Sequence, residues 1–181
     1  MNPNLKPLVC IILGSLSNAR TMAKAEKALT ELGVPFETKA FSAHRTPDDV
    51  EETVDEAIKK GVLVFLVAAG MSAHLGGFVA ARAKTLPVVA VPTSDGPLHG
   101  LDALLSTGQM PPGVPVATMP IDGAENAAIF AAQILGISSE RFQIVEALEK
   151  RRDNLAEKVR DGNRELQRCG SLANYIEAHP S

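Results

Sequence analysis

The sequence from residue 42 to residue 47 reads Ser42-Ala43-His44-Arg45-Thr46-Pro47, and it joins a strand-like stretch (36–41) to a helix-like one (48–60). Threonine is a favourable N-cap residue, proline suits the first helical position, and the two aspartates that follow lie where the helix dipole favours negative charge. We therefore predict a tight strand-to-helix turn that carries Ser42, His44 and Arg45. In open α/β sheets, ligands bind at such turns, beside the carboxyl ends of strands and the N-termini of helices.

The same alternation of strand and helix continues along most of the chain. The stretch 8–13 is continuously apolar, as expected for a parallel strand that is covered on both faces. The remaining pattern predicts strands at 36–41, 62–69, 88–91 and 114–119, and helices at 19–32, 47–60, 75–83, 101–109 and 124–135. These βα units predict an α/β, flavodoxin-like three-layer sandwich with a five-stranded parallel sheet in the order 2-1-3-4-5.

A different composition begins after Gly136. Ser138 and Ser139 are suited to cap a long charged helix at 140–168, which Gly162 should interrupt, and we expect residues 171–181 to fray. The apolar residues of this helix fall roughly on one stripe: Phe142, Val145, Leu148, Leu155, Val159 and Leu166. The stripe packs either on its own subunit or on a neighbour in a symmetric oligomer.

Charge and cysteine content exclude several classes of protein. The formal charge of −3 and the pI of about 5.8 give no general field for nucleic acid or for an anionic membrane. Cys10 and Cys169 are too few and too far apart for a disulfide framework, and the four histidines lack the spacing of a zinc or iron–sulfur site. The apolar run 8–13 is too short for a signal peptide or a membrane span. We expect one globular domain in a reducing, cytoplasmic setting.

The loop after the first predicted strand reads Gly14-Ser15-Leu16-Ser17-Asn18-Ala19-Arg20. It resembles a short phosphate cradle, because glycine permits close backbone approach and the serines add donors near a helix N-terminus. The alternative is that Ser17 or Asn18 only caps the first helix. The loops after neighbouring parallel strands meet at one edge of the sheet, so this loop should lie beside the turn at 42–47.

The turn at 42–47 combines an anion-binding group with a proton carrier. Arg45 can give a phosphate two parallel charge-assisted hydrogen bonds, with Ser42 as a neutral donor, and His44 can carry a proton near neutral pH. Taken singly, a histidine is more often structural than catalytic, and Arg45 could be an ordinary solvated charge.

The loop after the third predicted strand, Gly70-Met71-Ser72-Ala73-His74-Leu75, consists largely of small residues. Such a loop can form a small, dry pocket around a planar ligand; alternatively, it is a glycine-rich turn packed on the sheet, with His74 as a cap. The loop at 92–100 is suited to cover the site or to contact a subunit. The proline-rich stretch at 109–116 is interpreted as a rigid structural connection.

Taken together, the motifs resemble the PurE family of purine biosynthesis over about residues 8–135. The matching segments are Gly14-Ser15-x-Ser17, the run at 42–47, Gly70-x-x-Ala73-His74-Leu75, Gln109-Met110-Pro111-x-Gly113-Val114-Pro115-Val116-Ala117-Thr118, and Asn126-Ala127-Ala128. The resemblance implies an N5-carboxyaminoimidazole ribonucleotide mutase, which moves a carboxylate from N5 to ring C4 on the way to IMP. The alternative that the resemblance implies is the sister class of the same family, an aminoimidazole ribonucleotide carboxylase that uses carbon dioxide. Neither uses a metal or an organic cofactor.

Carried over by position, the resemblance implies phosphate binding by Ser15, Ser42 and Arg45, and proton transfer by His44 as the catalytic residue. The segment 70–75 should surround the imidazole and the migrating carboxylate. The residues expected to bind substrate are Gly14, Ser15, Ser17, Asn18, Ser42, Arg45, Gly70, Met71, Ser72, Ala73, His74 and Leu75.

Asn18 departs from the family pattern. The family usually has aspartate at this position, which binds the ribose hydroxyls; an amide oxygen can accept a hydrogen bond but lacks the charge that strengthens it. This departure leaves open a non-catalytic paralogue that binds a sugar phosphate. A receiver-type signalling domain is disfavoured, because serine and glycine stand where it would need acidic residues.

The third and fourth loops point to different reaction classes. Ala73-His74-Leu75 looks like the mutase class, and no lysine or arginine lies in that loop to attract bicarbonate, whereas Ser94-Asp95 resembles some microbial carboxylases. Because the family assembles as an octamer, the resemblance implies a homo-octamer with a catalytic domain at 1–137 and a helical extension for oligomerisation at 138–181. The expected partners are a small ribonucleotide substrate and other copies of the chain, without nucleic acid or membrane.

Overall fold

A single parallel sheet organises the fold of the computed structural model, which describes residues 6–180. Its strands are β1 (Val9–Leu13), β2 (Phe36–Ala40), β3 (Val64–Ala69), β4 (Val88–Pro92) and β5 (Ala117–Thr118). The spatial order is β2-β1-β3-β4-β5 with every pair parallel, which confirms the predicted topology. Leu13 of β1 is in register with Ala40 and Ala68, so these strands end together at one edge of the sheet.

Helices cover both faces of the sheet, as expected for right-handed βαβ crossovers. They are α1 (Ala19–Glu31), α2 (Pro47–Lys60), α3 (Leu75–Ala83), α4 (Leu101–Gly108), α5 (Ala124–Gly136), α6 (Phe142–Cys169) and α7 (Leu172–Ala178). The apolar residues of α1 and α5 pack on one face of the sheet, and those of α2 and α3 pack on the other.

The two-residue periodicity of a strand divides the side chains of β1 between two cores. Val9, Ile11 and Leu13 join the core under α1 and α5, whereas Cys10 and Ile12 join the core under α2 and α3. All five side chains are buried, which explains why this stretch is continuously apolar instead of alternating.

The last strand is much shorter than the predicted stretch 114–119. Only Ala117 and Thr118 pair with β4. Pro115 has no backbone N–H to give to a sheet, which limits pairing at the start of the stretch. Val114 and Val116 nevertheless pack against the core, so the apolar pattern reports burial here and not strand pairing.

Two predictions about the C-terminal segment are wrong. Gly162 does not interrupt the long helix, which continues from Phe142 to Cys169; ion pairs of Glu157 with Arg160 and Arg164 flank the glycine, and glycine costs only about 1 kcal/mol in a helix interior. Residues 172–178 form α7 instead of fraying, because the Ser171 hydroxyl caps the helix by accepting from the Asn174 N–H at 3.2 Å. Residues 1–5 and 181 of the predicted domains lie outside the described part.

The start of α6 docks on its own subunit. Ile144 is buried and Leu148 packs against the same core, while Arg151 forms ion pairs with Glu125 and with Glu31, the latter at 2.7 Å. Ser138 makes no capping hydrogen bond; a short 3₁₀ turn precedes the helix instead. Further along the helix, Val159 is 74% exposed, so packing on its own subunit accounts only for the start of the apolar stripe.

Membrane-spanning length and apolarity are not found together in any helix between residues 6 and 180.

Candidate functional site

A cavity of about 340 Å³ lies at the carboxyl edge of the sheet, where the loops after β1, β2, β3 and β4 meet. Every residue that the sequence singled out for the site lines it except Ala73. The lining consists of Gly14, Ser15, Ser17, Asn18, Ser42, Ala43, His44, Arg45, Ala69, Gly70, Met71, Ser72, His74, Leu75 and Asp95. A larger groove of about 870 Å³ runs between α1, α5 and α6, but none of the strand-end loops contributes to it.

Ala73 holds its loop in place from behind the cavity wall. Its side chain is only 2% exposed. Its N–H donates to Ser106 Oγ at 2.9 Å, and its carbonyl accepts from Thr107 Oγ1 at 3.3 Å, so α4 supports the third loop.

The first loop is a single 3₁₀ turn, Leu16–Asn18, which leads directly into α1. Its cap is Ser15, whose Oγ accepts from the Ser17 N–H at 3.3 Å. Asn18 makes no side-chain capping bond to α1, so neither Ser17 nor Asn18 acts as the simple helix cap that was the alternative reading. The hydroxyl hydrogen of Ser15 remains a potential donor toward the cavity.

The second loop is tied together by its own serine and threonine. Ser42 Oγ accepts from the N–H groups of His44 and Arg45, both at 3.3 Å. Thr46 precedes α2 as predicted but makes no capping bond; its Oγ1 accepts from the Ser42 N–H at 3.0 Å instead. Arg45 Nη2 donates to the Gly14 carbonyl at 3.4 Å, which joins the second loop to the first. The other guanidinium donors can bind an anion between the two loops.

Two histidines from adjacent loops form a hydrogen-bonded pair. His44 Nε2 lies 2.9 Å from His74 Nδ1, and the rings are nearly perpendicular, with an interplanar angle of 85°. One nitrogen must donate while the other accepts, so the tautomers of the two rings depend on each other. His74 makes no side-chain capping bond to α3, which disfavours its interpretation as a helix cap.

The fourth loop contributes Asp95, which was not among the predicted site residues. Its Oδ2 accepts from Asn18 Nδ2 at 2.6 Å and from Ser17 Oγ at 3.2 Å. Gly70 permits this arrangement, because a Cβ on Gly70 would lie 3.1 Å from the Asp95 carbonyl oxygen. The position of Asp95 just after the fourth strand was a usable signal, because that strand neighbours the third in the sheet. Ala43 and Ala69 also line the cavity, and small apolar residues carry no comparable signal.

Neither cysteine of the chain lines this cavity. Burial in β1 raises the pKa of the Cys10 thiol to about 12, so the thiol stays protonated near neutral pH and does not act as a nucleophile. Across residues 6–180, no three histidine, cysteine, aspartate or glutamate side chains come close enough together to hold a metal ion.

Comparison with known proteins identifies the family. Residues 8–158 match the family model described as AIR carboxylase. A protein of Bacillus subtilis is 46% identical over 90% of this chain and 99% of its own, and one of Pyrococcus horikoshii is 44% identical over 91% and 92%; both are named N5-carboxyaminoimidazole ribonucleotide mutase. The crystal structure of Treponema denticola PurE superimposes with a TM-score of 0.76 at 26% identity, covering 88% of this chain and 98% of the other. The resemblance that the loop motifs indicated is thus confirmed, and the chain belongs to the AIR carboxylase family, to which PurE belongs.

Proposed function

We propose that this protein is an N5-carboxyaminoimidazole ribonucleotide mutase, an isomerase that moves the substrate carboxylate from N5 to ring C4 in purine biosynthesis. The observation that carries the proposal is the His44–His74 pair, with its 2.9 Å hydrogen bond, in a cavity that also holds anion-binding donors. The mutase name of relatives that are 44% and 46% identical over about nine-tenths of the chain supports the same reaction.

Ser15, Ser42 and Arg45 bind the substrate phosphate in this proposal. The Arg45–Gly14 contact already brings the first two loops together, so the phosphate site requires little rearrangement. Binding of the phosphate, which is remote from the reacting atoms, positions the imidazole ring beside the histidines. The binding energy is thus used to orient the ring for the chemical step.

His44 moves one proton in each direction. The bond between N5 and the carboxyl carbon breaks and releases carbon dioxide, and His44 gives its proton to N5. Ring C4 then attacks the carbon dioxide, a carbon–carbon bond forms, and C4 loses its proton to His44. The histidine ends in its starting protonation state, so a single acid–base residue suffices for an isomerisation.

His74 positions the proton of His44 through the hydrogen bond between their rings. Because the two nitrogens share one hydrogen, a proton added to the pair on one ring changes the tautomer available on the other. Small residues around the pair, Ala43, Ala69 and Gly70, leave room for the imidazole ring and for the released carbon dioxide.

The alternative function is the aminoimidazole ribonucleotide carboxylase reaction, which takes carbon dioxide from solution. The sequence Ala73-His74-Leu75 in the third loop resembles the mutase class, and this resemblance favours the mutase.

The proposal extends to assembly and location. Residues 1–137 carry the catalytic site, and residues 138–181 contribute to a cytoplasmic homo-octamer. The exposed apolar residues of α6, including Leu155 at 49% and Val159 at 74%, support a role in subunit contacts.

The deciding experiment follows the carboxylate. N5-carboxyaminoimidazole ribonucleotide labelled in its carboxyl group is incubated with the protein in unlabelled bicarbonate, and label is measured in the product at early times. A mutase retains the label, because the carbon dioxide stays in the cavity. Full exchange with solution would indicate the carboxylase. No product from this substrate, and none from aminoimidazole ribonucleotide with bicarbonate, would indicate the non-catalytic paralogue.

A variant connects the activity to the site. His44→Asn should abolish turnover while ligand affinity stays within a few-fold, because the histidine moves a proton and does not hold the phosphate. Turnover near that of the unaltered protein would remove His44 from the mechanism.

A further inference from the structure

Asp95 is the one carboxylate among the residues that line the cavity. One of its oxygens, Oδ2, is occupied by donors from Asn18 and Ser17, with Thr93 Oγ1 at 3.4 Å as a third contact. Among the described residues, no hydrogen bond reaches the other oxygen, Oδ1. The cavity therefore contains a negatively charged acceptor with capacity for a ligand.

Asn18 has little such capacity, although it lines the same cavity. It is only 2% exposed. Its Oδ1 accepts from the Ser15 N–H at 3.2 Å, and its two amide hydrogens go to Thr93 Oγ1 at 2.9 Å and to Asp95 Oδ2 at 2.6 Å. Both donors of the side chain are thus satisfied within the protein.

The position of the Asp95 carboxylate is fixed from several sides. Asn18 and Ser17 hold it from the first loop, and Gly70 packs against its Cβ, since an added methyl on Gly70 would lie 3.1 Å from that atom. A carboxylate held in this way is organised for binding before a ligand arrives, which reduces the entropy lost on binding.

The charge of Asp95 limits which part of a ribonucleotide it can bind. A carboxylate repels the phosphate and the migrating carboxylate, and Arg45 and the serines already provide for the phosphate. The sugar hydroxyls are neutral donors, and a hydrogen bond from a hydroxyl to a carboxylate is stronger than one to a neutral acceptor.

We propose that Asp95 binds the ribose hydroxyls of the substrate through Oδ1, and that Asn18 is a positioning residue that holds the Asp95 carboxylate through Oδ2. This inference rests on the proposed function, because it takes a ribonucleotide as the substrate. The loop after β4 thus supplies a carboxylate to the ribose, and Asn18 of the first loop holds that carboxylate in place.

The test measures binding by calorimetry with two probes, aminoimidazole ribonucleotide and its 2′,3′-dideoxy analogue. Asp95→Asn should weaken binding of the ribonucleotide about tenfold or more, because a charge-assisted hydrogen bond becomes a neutral one. The same substitution should change binding of the dideoxy analogue less than about twofold, because that probe offers no hydroxyl to the carboxylate. Asp102→Asn, a matched change in the first turn of α4 outside the cavity lining, should leave both affinities unchanged.

Asn18→Asp provides a second test that does not depend on Asp95→Asn folding correctly. The new carboxylate would lie within hydrogen-bond distance of Asp95, and two such groups cannot both stay ionised without repulsion. Ribonucleotide binding at pH 8 should therefore be weaker than in the unaltered protein. Tighter binding at pH 8 would show that the side chain at position 18 binds the ribose hydroxyls, and it would overturn the inference.

The outcomes separate this inference from the proposed function. Suppose that the unaltered protein retains label in the product, but that Asp95→Asn weakens binding of both probes equally or changes binding of neither. The assignment of Asp95 to the ribose is then wrong, while the proposed mutase function is retained. If the unaltered protein binds neither probe and yields no product, the proposed function fails and the ribose assignment fails with it.

Discussion

At the scale of single residues, the site depends on pairs that are far apart in the sequence. His44 and His74 are separated by 30 positions, and Asn18 and Asp95 by 77. The sequence indicates three of these four residues singly, because each follows a predicted strand and belongs to a recognisable loop. The pairings are not indicated, because side-chain hydrogen bonds between loops depend on loop conformation, which periodicity does not encode. Asp95 follows a predicted strand too, but its contact with Asn18 could not be predicted for this reason, and without that contact Asn18 looked like a simple loss of charge.

Arg45 provides a direct test of the proposed phosphate site. Arg45→Ala should weaken binding of aminoimidazole ribonucleotide by about 2 kcal/mol, or roughly 30-fold, because charge-assisted bonds to the phosphate are lost. Binding of the corresponding nucleoside, which lacks the phosphate, should change little. Calorimetry with both ligands measures the difference.

Arg20 is the matched control, since it is exposed on α1 and does not line the cavity. Arg20→Ala should bind both ligands like the unaltered protein. If Arg45→Ala keeps full affinity for the ribonucleotide, Arg45 does not bind the phosphate.

At the scale of secondary structure elements, hydrophobic periodicity predicted which helices and strands exist better than it predicted where they end. The helix at 47–60 and the helix at 75–83 have the predicted bounds, because each starts after a turn and ends at a clear change in the pattern. Only two residues of the strand predicted at 114–119 pair in the sheet. The apolar pattern indicates burial, and a buried residue need not be paired with a neighbouring strand. Continuation of α6 through Gly162 and the formation of α7 depend on side-chain interactions that composition alone does not reveal.

The short helix α7 is linked to α6 by a titratable contact. His179, which follows α7, has its pKa raised by a hydrogen bond to the Tyr175 carbonyl and by Glu165 of α6, whose Oε1 lies 2.9 Å away. A raised pKa in the folded state means that the contact stabilises docking fully below the unfolded pKa of about 6.5. The stabilisation is lost as the pH rises through the folded pKa.

An NMR titration of the His179 ring measures this effect. We expect its pKa to lie above that of an unstructured peptide, and Glu165→Gln should lower it, because the carboxylate charge is removed. Glu177→Gln, a matched change on the exposed surface of α7, should leave the titration almost unchanged. Identical titrations for Glu165→Gln and the unaltered protein would exclude this contact in solution.

At the scale of the whole molecule, the topology could be predicted because βα units have one favoured hand and a short list of strand orders. The assembly could not, because an exposed apolar side chain does not specify its partner. Leu155, Val159, Leu172 and Ile176 are 49%, 74%, 66% and 66% exposed in the single chain. We refer to these four side chains together as the C-terminal apolar surface, which the proposed assembly would cover.

Two truncations separate folding from assembly. Removal of all residues after Asn154 deletes this surface but keeps buried Ile144 and the ion pairs of Arg151, so the subunit should fold while its assembly state falls. Removal of all residues after Ile137 also deletes Ile144, and the loss of that core side chain should cost at least about 2 kcal/mol of stability. Light scattering measures the mass of the assembly, and thermal unfolding measures the stability of the subunit.

A point variant tests the same surface without shortening the chain. Val159→Glu places a charge on the C-terminal apolar surface, and burying it against a neighbour without a partner is unfavourable. The mass measured by light scattering should therefore fall, while the unfolding temperature of the dissociated subunit stays nearly constant, because Val159 is exposed there. Gln167→Glu adds the same charge at an exposed polar position of α6 and should leave the assembly intact. If the full-length protein is monomeric, or if Val159→Glu assembles as the unaltered chain does, subunit contacts do not use this surface.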